Sequence, residues 1–243
     1  MTDKLRKFDI KDDGRLLNKG ASSPRPKDAA TLILVRLSPI SKQVEVLMGK
    51  RSSRHAFMPD KYVFPGGRVE ASDGRVPAAT ELHAKTEDQV AYATRRKARA
   101  FALSAIRETF EETGLIVGTK VAQDKRKLPD DWETYFGLGA MPSLYGLRFV
   151  GRAITPPYRP KRYDARFFMA NAEEALIDDR PPVDGAELSD LQWISLDDAQ
   201  SLDLPSVTRF MIGEVGERAQ NPSNQPKPSF LRWTRSGHQM SRI

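Results

Sequence analysis

The stretch RETFEETGL, residues 107–115, decides how this chain is interpreted. It ends a run of apolar residues at helical spacing, and Gly114 is a natural helix terminator. On a helix, side chains three and four positions apart share one face. We therefore expect Glu108, Glu111 and Glu112 to point the same way.

Three carboxylates on one face repel one another and need a countercharge. They lie near a helix C-terminus, where the helix dipole disfavours anions. Hard oxygen ligands at this density suit Mg²⁺ or Mn²⁺. Arg107 lies four positions before Glu111 and can hold that carboxylate. The sequence thus indicates a divalent-cation site, and a solvated acidic helix end is the alternative.

A second motif, FPGGRVE at residues 64–70, follows a short predicted strand at 62–64. Its double glycine would let the backbone approach a ligand or metal closely. An ordinary turn is the alternative interpretation, but the position ahead of the carboxylate helix favours a site.

Together the two motifs resemble the Nudix box of the Nudix hydrolases. That box reads Gly, five residues, Glu, seven residues, then Arg-Glu-apolar-any-Glu-Glu-any-Gly-apolar. The matching positions are Gly67, Arg107, Glu108, Glu111, Glu112, Gly114 and Leu115. Thr109 stands where an apolar residue is usual, and about 26 residues are inserted between Gly67 and Arg107. The first Glu of the box has no clear match: counting forward gives Asp73, and counting back gives Arg99.

The resemblance extends outside the box. Residues 49–67, 154–157 and 162–168 are similar to one branch of the family, the peroxisomal acyl-coenzyme A diphosphatases with an interrupted box and their bacterial relatives. The match covers roughly residues 29–215. It implies an α+β fold, the Nudix α/β/α sandwich with a mixed sheet and an insertion inside the box.

The family reaction is water attack on a diphosphate linked to another moiety, a hydrolysis of an acid anhydride. The resemblance implies that Glu108, Glu111 and Glu112, with the Gly67 carbonyl, hold Mg²⁺ or Mn²⁺. Glu108 and Glu111 are therefore candidate catalytic residues. In many members the general base is a Glu on a late loop, and Glu187 is our candidate; a surface acid is the alternative. Arg107 and Gly114 are expected to be structural.

Five basic residues are candidate substrate contacts, because guanidinium and imidazolium groups can bind phosphates. They are Arg51, Arg54, His55, Arg162 and Arg166. For the first three, surface solubility is an equal alternative. For the last two, a structural pair with Asp164 is at least as well supported.

Composition narrows the classes of function. The chain has 243 residues and no cysteine, which excludes disulfides, thiolate zinc sites and cysteine nucleophiles. Its net charge of +7 suits a polyphosphate substrate, and because basic and acidic residues are mixed along the chain, nucleic acid is disfavoured as a partner. No apolar run approaches ~18 residues, so no membrane span is expected. The N-terminus lacks a signal-like apolar region, and we expect a cytoplasmic protein.

Patterning divides the chain into a polar arm (1–28), a Nudix domain (29–220, with the insertion at about 71–98) and an extended tail (221–243). Strands are predicted at 30–37, 44–48, 62–64, 115–117, 147–154, 166–170 and 191–194. A helix capped by Thr86 is expected within the insertion.

The box contacts only the diphosphate that all family substrates share, so it does not identify the substrate. The interrupted box favours coenzyme A or an acyl derivative. ADP-ribose, dinucleotides and nucleotide sugars are alternatives. A non-catalytic module that binds a nucleotide or RNA is a further one, although the surviving glutamates favour an enzyme. Nudix enzymes are often dimers, which leaves a homodimer open.

Overall fold

The computed structural model describes residues 23–53, 58–122, 127–221, 223, 225–234 and 237–243. Two of the candidate substrate contacts, Arg54 and His55, lie outside these residues, as do residues 1–22 of the predicted arm.

A mixed sheet forms the centre of the described molecule. Its strands are β1 Lys27–Leu37, β2 Val44–Arg51, β3 Tyr62–Val63, β4 Gly66–Arg68, β7 Arg148–Ile154, β8 Tyr163–Asn171, β9 Leu188–Ser195, β10 Ser229–Thr234 and β11 Gly237–Arg242, and a separate small pair joins β5 Gly118–Lys120 to β6 Ala140–Pro142. The strand order is β11-β10-β7-β8-β1-β2-β3, with β4 paired to β1 and β9 paired to β2. The β1–β8 and β7–β10 pairs are parallel and the others are antiparallel, which makes the sheet mixed.

Helices cover both faces of this sheet. They are α1 Ala84–Ala91, α2 Ala98–Thr113, α3 Asp130–Gly137, α4 Ala172–Ala175 and α5 Ser206–Gln220. Alternate residues of β1 face opposite ways, as the pleat requires. Leu32 and Leu34 pack with Phe101 and Ile106 of α2, whereas Ile33 packs in the second core, which includes α5. The result is an α/β/α sandwich, as predicted.

Helix α2 carries the motif that opened the sequence analysis. Phe101, Leu103 and Ile106 are fully buried and fix the helix against the sheet. The helix ends where the sequence predicts, because Gly114 adopts a left-handed φ of 71° and its N–H bonds the Phe110 carbonyl at 2.8 Å.

The predicted insertion is part of the folded core. It contains a short 3₁₀ turn, Asp73–Arg75, and helix α1, which is capped by His83 rather than by the predicted Thr86. Val76, Leu82 and Val90 pack in the same core as α2. No helix in the described ranges is long and apolar enough to cross a membrane.

Two predicted segments differ from the structure. The predicted strand at 115–117 contributes only one isolated bridge, from Val117 to Leu176. Within the predicted extended tail, β10 and β11 form a hairpin that joins the main sheet through the parallel β7–β10 pair. Phe230 and Leu231 are buried there, so this part of the tail belongs to the domain.

Candidate active site

A cavity of about 460 Å³ opens at the carboxylate end of α2. The lining residues at this end are Gly66, Gly67, Glu70, Glu108, Glu111, Glu187 and Arg51. Three of the candidate metal ligands (Gly67, Glu108 and Glu111), the candidate base and one candidate substrate contact thus border one space. The fourth candidate ligand, Glu112, does not line the cavity but bonds the Gly66 N–H beside it.

The double glycine brings the β4 backbone directly against α2. The Gly66 N–H donates to Glu112 Oε2 at 2.8 Å. A Cβ on Gly67 would overlap the Glu108 carboxylate, so only a residue without a side chain allows this approach. The FPGGRVE segment is therefore more than a turn, because its backbone lies directly against two acidic side chains of α2.

Arg107 forms ion pairs with two of the acidic side chains, Glu108 and Glu111. Its Nη1 contacts Glu108 Oε1 at 2.9 Å and Glu111 Oε2 at 3.1 Å, and its Nη2 donates to the Arg68 carbonyl at 2.9 Å. Burial alone would lower the pKa of Arg107, but its bond to Asp73 and the surrounding carboxylates raise that pKa above the ordinary value. Arg107 is therefore charged, as its predicted role with Glu111 requires.

Asp73 completes this network and occupies the place of the first box Glu. Its carboxylate accepts from Arg107 Nε at 2.9 Å and Nη2 at 3.1 Å, from Trp132 Nε1 at 3.1 Å, and from the Glu70 N–H at 2.8 Å. Counting forward from Gly67 therefore finds the residue that meets Arg107. Arg99, reached by counting back, bonds the carbonyls of Gly74 and Val76 instead.

The acidic side chains on α2 have raised pKa values in the metal-free protein. Burial raises the pKa of Glu112 to about 8, with the charges of Glu108 and Glu187 adding to the rise and the Gly66 N–H opposing it. Burial likewise raises the pKa of Glu108 to about 7, opposed by Arg107 and reinforced by Glu111 and Glu187. The pKa of Glu111 is raised by its partial burial. Burial therefore disfavours the charged form of each of these carboxylates, and repulsion by neighbouring acids adds to that effect.

The donor set suits a divalent cation. Carboxylates and a backbone carbonyl are the oxygen ligands that Mg²⁺ and Mn²⁺ take. No three acidic or imidazole groups among the described residues already converge on one point. The present bonds explain this, because Gly66 N–H holds Glu112, and Arg107 holds Glu108 and Glu111. A cation would compete with those donors and would stabilise the charged carboxylates, which burial and mutual repulsion disfavour.

Two residues from other elements lie near these acids, and both line the cavity. Glu187 precedes β9, and its charge raises the pKa of both Glu108 and Glu112. Arg51 ends β2, and burial lowers its pKa while the charges of Glu112 and Glu187 oppose that shift. The candidate base and this candidate phosphate contact therefore lie near the carboxylates of α2.

The other two described candidate contacts lie elsewhere. Arg162 donates to the carbonyls of Thr155 and Pro24 and to Ser23 Oγ. Arg166 is fully buried, contacts Asp164 at 2.9 Å and lies over the Phe101 ring at 4.0 Å. Its strand neighbours, Ala165 and Phe167, line the cavity, so the Arg166 side chain is on the opposite face of β8. Arg166 therefore matches the alternative interpretation, in which it forms a structural ion pair with Asp164.

A second group of residues, outside the box, also lines the cavity. Tyr158, Arg159 and Tyr163 come from the loop and strand after β7, and Leu231 and His238 come from the C-terminal hairpin. The Trp233 ring stacks edge-on with Tyr158 at 5.2 Å and with His238 at 4.6 Å. The pairing of β10 with β7 brings the hairpin residues to the cavity, and periodicity in the sequence does not predict that pairing.

Known proteins are similar to this chain in sequence and in fold. No family model matches the chain. A nudix hydrolase of Caenorhabditis elegans is 29% identical over 161 residues, which is 61% of this chain and 46% of that protein. The acyl-coenzyme A diphosphatase NUDT19 of Gallus gallus is 26% identical over 228 residues, 70% of this chain and 57% of that protein. The chain thus spans about half the length of these curated relatives.

A solved structure confirms the fold prediction. The NUDIX hydrolase from Alicyclobacillus acidocaldarius superimposes with a TM-score of 0.58 at 26% sequence identity, covering 77% of this chain and 90% of that one. The resemblance inferred from the interrupted box is therefore confirmed by both comparisons, and the sandwich described above is the Nudix fold.

Proposed function

We propose that this chain, which has the fold of the Nudix hydrolases, is a metal-dependent hydrolase that cleaves a diphosphate linked to another moiety. One observation carries the proposal: Glu108 and Glu112 pack on Gly66–Gly67 with Glu187 nearby, at one end of a cavity.

The residues of the chain have distinct tasks in this reaction. Glu108, Glu111 and Glu112, with the Gly67 carbonyl, would hold Mg²⁺ or Mn²⁺, which neutralises phosphate charge and lowers the pKa of a bound water. Arg107 fixes Glu108 and Glu111 at their outer edge. Arg51, whose charge faces Glu112 and Glu187, would bind a phosphate oxygen.

A base must remove the proton of the attacking water. The Glu187 carboxylate would accept that proton as the water oxygen bonds phosphorus and the bridging P–O bond breaks. The leaving phosphate then carries the electron pair of the broken bond. No serine or cysteine nucleophile is needed.

Coenzyme A or an acyl derivative is the substrate that we favour. Support comes from the similarity to the Gallus gallus acyl-coenzyme A diphosphatase and from the interrupted box. Arg159, which is only 4% exposed, lines the cavity. A buried guanidinium suits the extra 3′-phosphate that distinguishes coenzyme A from ADP-ribose.

Kinetics on matched substrates test both parts of the proposal. We expect Mg²⁺- or Mn²⁺-dependent cleavage of coenzyme A to 3′,5′-ADP and a phosphopantetheine product. Its 3′-dephospho form should have a kcat/KM lower by about tenfold or more, because each ~1.4 kcal/mol of lost contact is a factor of ten.

The outcomes separate substrate from chemistry. A clear preference for ADP-ribose, a dinucleotide or a nucleotide sugar would overturn the coenzyme A assignment and leave the diphosphatase standing. Stoichiometric binding without product, at millimolar metal, would overturn hydrolysis in favour of a nucleotide-binding module.

A further inference from the structure

The loop that carries Glu187 is pinned at its surface by one exposed acid. Asp184 Oδ2 accepts from the Asp190 N–H at 2.9 Å, and Asp184 Oδ1 accepts from the Leu191 N–H at 3.0 Å. These two bonds span the loop and enclose Glu187 between their ends. They also lower the pKa of Asp184, because the two N–H groups stabilise its charged form.

The same loop is tied to the elements that carry the rest of the site. The Val183 N–H donates to the Thr113 carbonyl at the end of α2, at 2.9 Å. The Ser52 N–H, just after β2, donates to the Glu187 carbonyl at 3.0 Å. Glu187 is thus attached by backbone bonds to the elements that present Glu112 and Arg51.

At the C-terminal end of the loop, Asp190 has a left-handed backbone conformation that neighbouring contacts must stabilise. Asp190 has a φ of 51°, a left-handed value that is unfavourable for most residues other than glycine. Its N–H is held by Asp184, and its carboxylate accepts from the Tyr62 hydroxyl on β3. Without Asp184, the N–H groups of Asp190 and Leu191 lose their acceptor, and the left-handed turn loses one of its supports.

We propose that Asp184 is a positioning residue for the reaction, which sets the place of the Glu187 carboxylate relative to the acids of α2. The inference rests on the proposed function and deepens it. Asp184 does not line the cavity, so it acts through Glu187 rather than on the substrate. A displacement of ~1 Å in a reacting group can lower a rate about a hundredfold, so a surface clamp can matter for kcat.

The test compares three variants with matched chemistry. Asp184→Ala removes both acceptor oxygens, whereas Asp184→Asn keeps one oxygen that can still accept. Asp178→Ala is the control, because Asp178 is an acid in the same connection and its carboxylate accepts from Arg180 rather than from the backbone beside Glu187.

We expect Asp184→Ala to lower kcat by about tenfold or more with KM changed less than about threefold, since substrate contacts are untouched. Asp184→Asn should recover most of kcat, and Asp178→Ala should match the parent. A parental kcat in Asp184→Ala, or an equal loss in Asp178→Ala, would overturn the inference.

A double variant separates this inference from the proposed function. In a Glu187→Gln background, Asp184→Ala should cause little further loss, because the two residues act as a unit. An undiminished loss in that background would mean that Asp184 acts independently of Glu187, and the inference fails. If Glu187→Gln keeps the parental rate while Glu112→Gln is inactive, the inference fails but the diphosphatase proposal stands; if both keep it, the proposed function fails as well.

Discussion

Glu112 is a buried acid whose carboxylate accepts from the Gly66 N–H. We predict that Glu112→Gln abolishes most hydrolysis and leaves the metal-free protein at least as stable. Glutamine resembles the protonated acid, which the raised pKa of about 8 makes the prevalent form at neutral pH. Product assays at saturating Mg²⁺ and urea unfolding measure the two effects; near-normal turnover would remove Glu112 from the site.

Asp73 supports the site through Arg107. We predict that Asp73→Ala lowers the free energy of unfolding by about 3 kcal/mol, because it breaks a buried ion pair and leaves the Trp132 N–H without its acceptor. Urea unfolding checks this, with the exposed Asp130→Asn on α3 as the control. If Asp73→Ala unfolds at the parental urea concentration, the network contributes no net stability.

Residue roles that depend on local sequence spacing could be predicted, and roles that depend on distant contacts could not. The three glutamates and Gly114 could be placed from spacing alone, since a helix fixes which side chains share a face. For the first Glu of the box, the sequence offered two positions, because the insertion can be counted from either end. Only the structure shows that one of them, Asp73, bonds Arg107. Arg166 does not line the cavity, because its side chain is on the face of β8 that packs on Phe101 of α2. The sequence does not show which face of a strand a given helix covers.

The β4 strand pairs with β1 in the sheet and carries the double glycine that lies against α2. We predict that Gly67→Ala keeps the fold and sharply lowers hydrolysis, because the new methyl group displaces the Glu108 carboxylate, the flexible end of a side chain. Gly137→Ala is the matched control, since an added Cβ there meets nothing within 4 Å. Circular dichroism and turnover distinguish the two, and equal activity in both variants would contradict the packing argument.

Elements with strong internal patterns were predicted well, and elements defined by partners were not. The apolar runs of β1 and β2 and the glycine stop of α2 are local signals. The C-terminal hairpin is polar over much of its length and forms because β7 offers a free edge to β10. Its contribution to the cavity was therefore outside the reach of periodicity.

The whole molecule should respond to pH through its acidic cluster. An acid whose pKa is raised on folding stabilises the protein below its unfolded value and loses that contribution as pH rises through the folded value. With folded pKa values of about 7 for Glu108 and about 8 for Glu112, the metal-free protein should lose stability as pH rises from about 5 to 9.

Divalent cations should remove this loss. Binding to the folded state alone stabilises it, by about 2.7 kcal/mol at a hundredfold excess over Kd. We expect Mg²⁺ or Mn²⁺ to raise Tm, more at pH 8 than at pH 6, where protons compete for the carboxylates. Thermal scans with chelator and with metal measure this, and Glu112→Gln should flatten the dependence. Superimposable scans at millimolar metal would argue against a cation site.

The contact between Asp73 and Arg107 joins residues 34 positions apart in the chain. In polymer terms it pins both ends of a closed segment, and doubling such a segment adds only about 0.6 kcal/mol to the entropy of closure. The number of residues between two parts of a motif can therefore vary, provided that the side chains at its two ends still come into contact. A designer could exploit this by grafting a reporter domain at the exposed turn around Ala93, leaving the carboxylates in register.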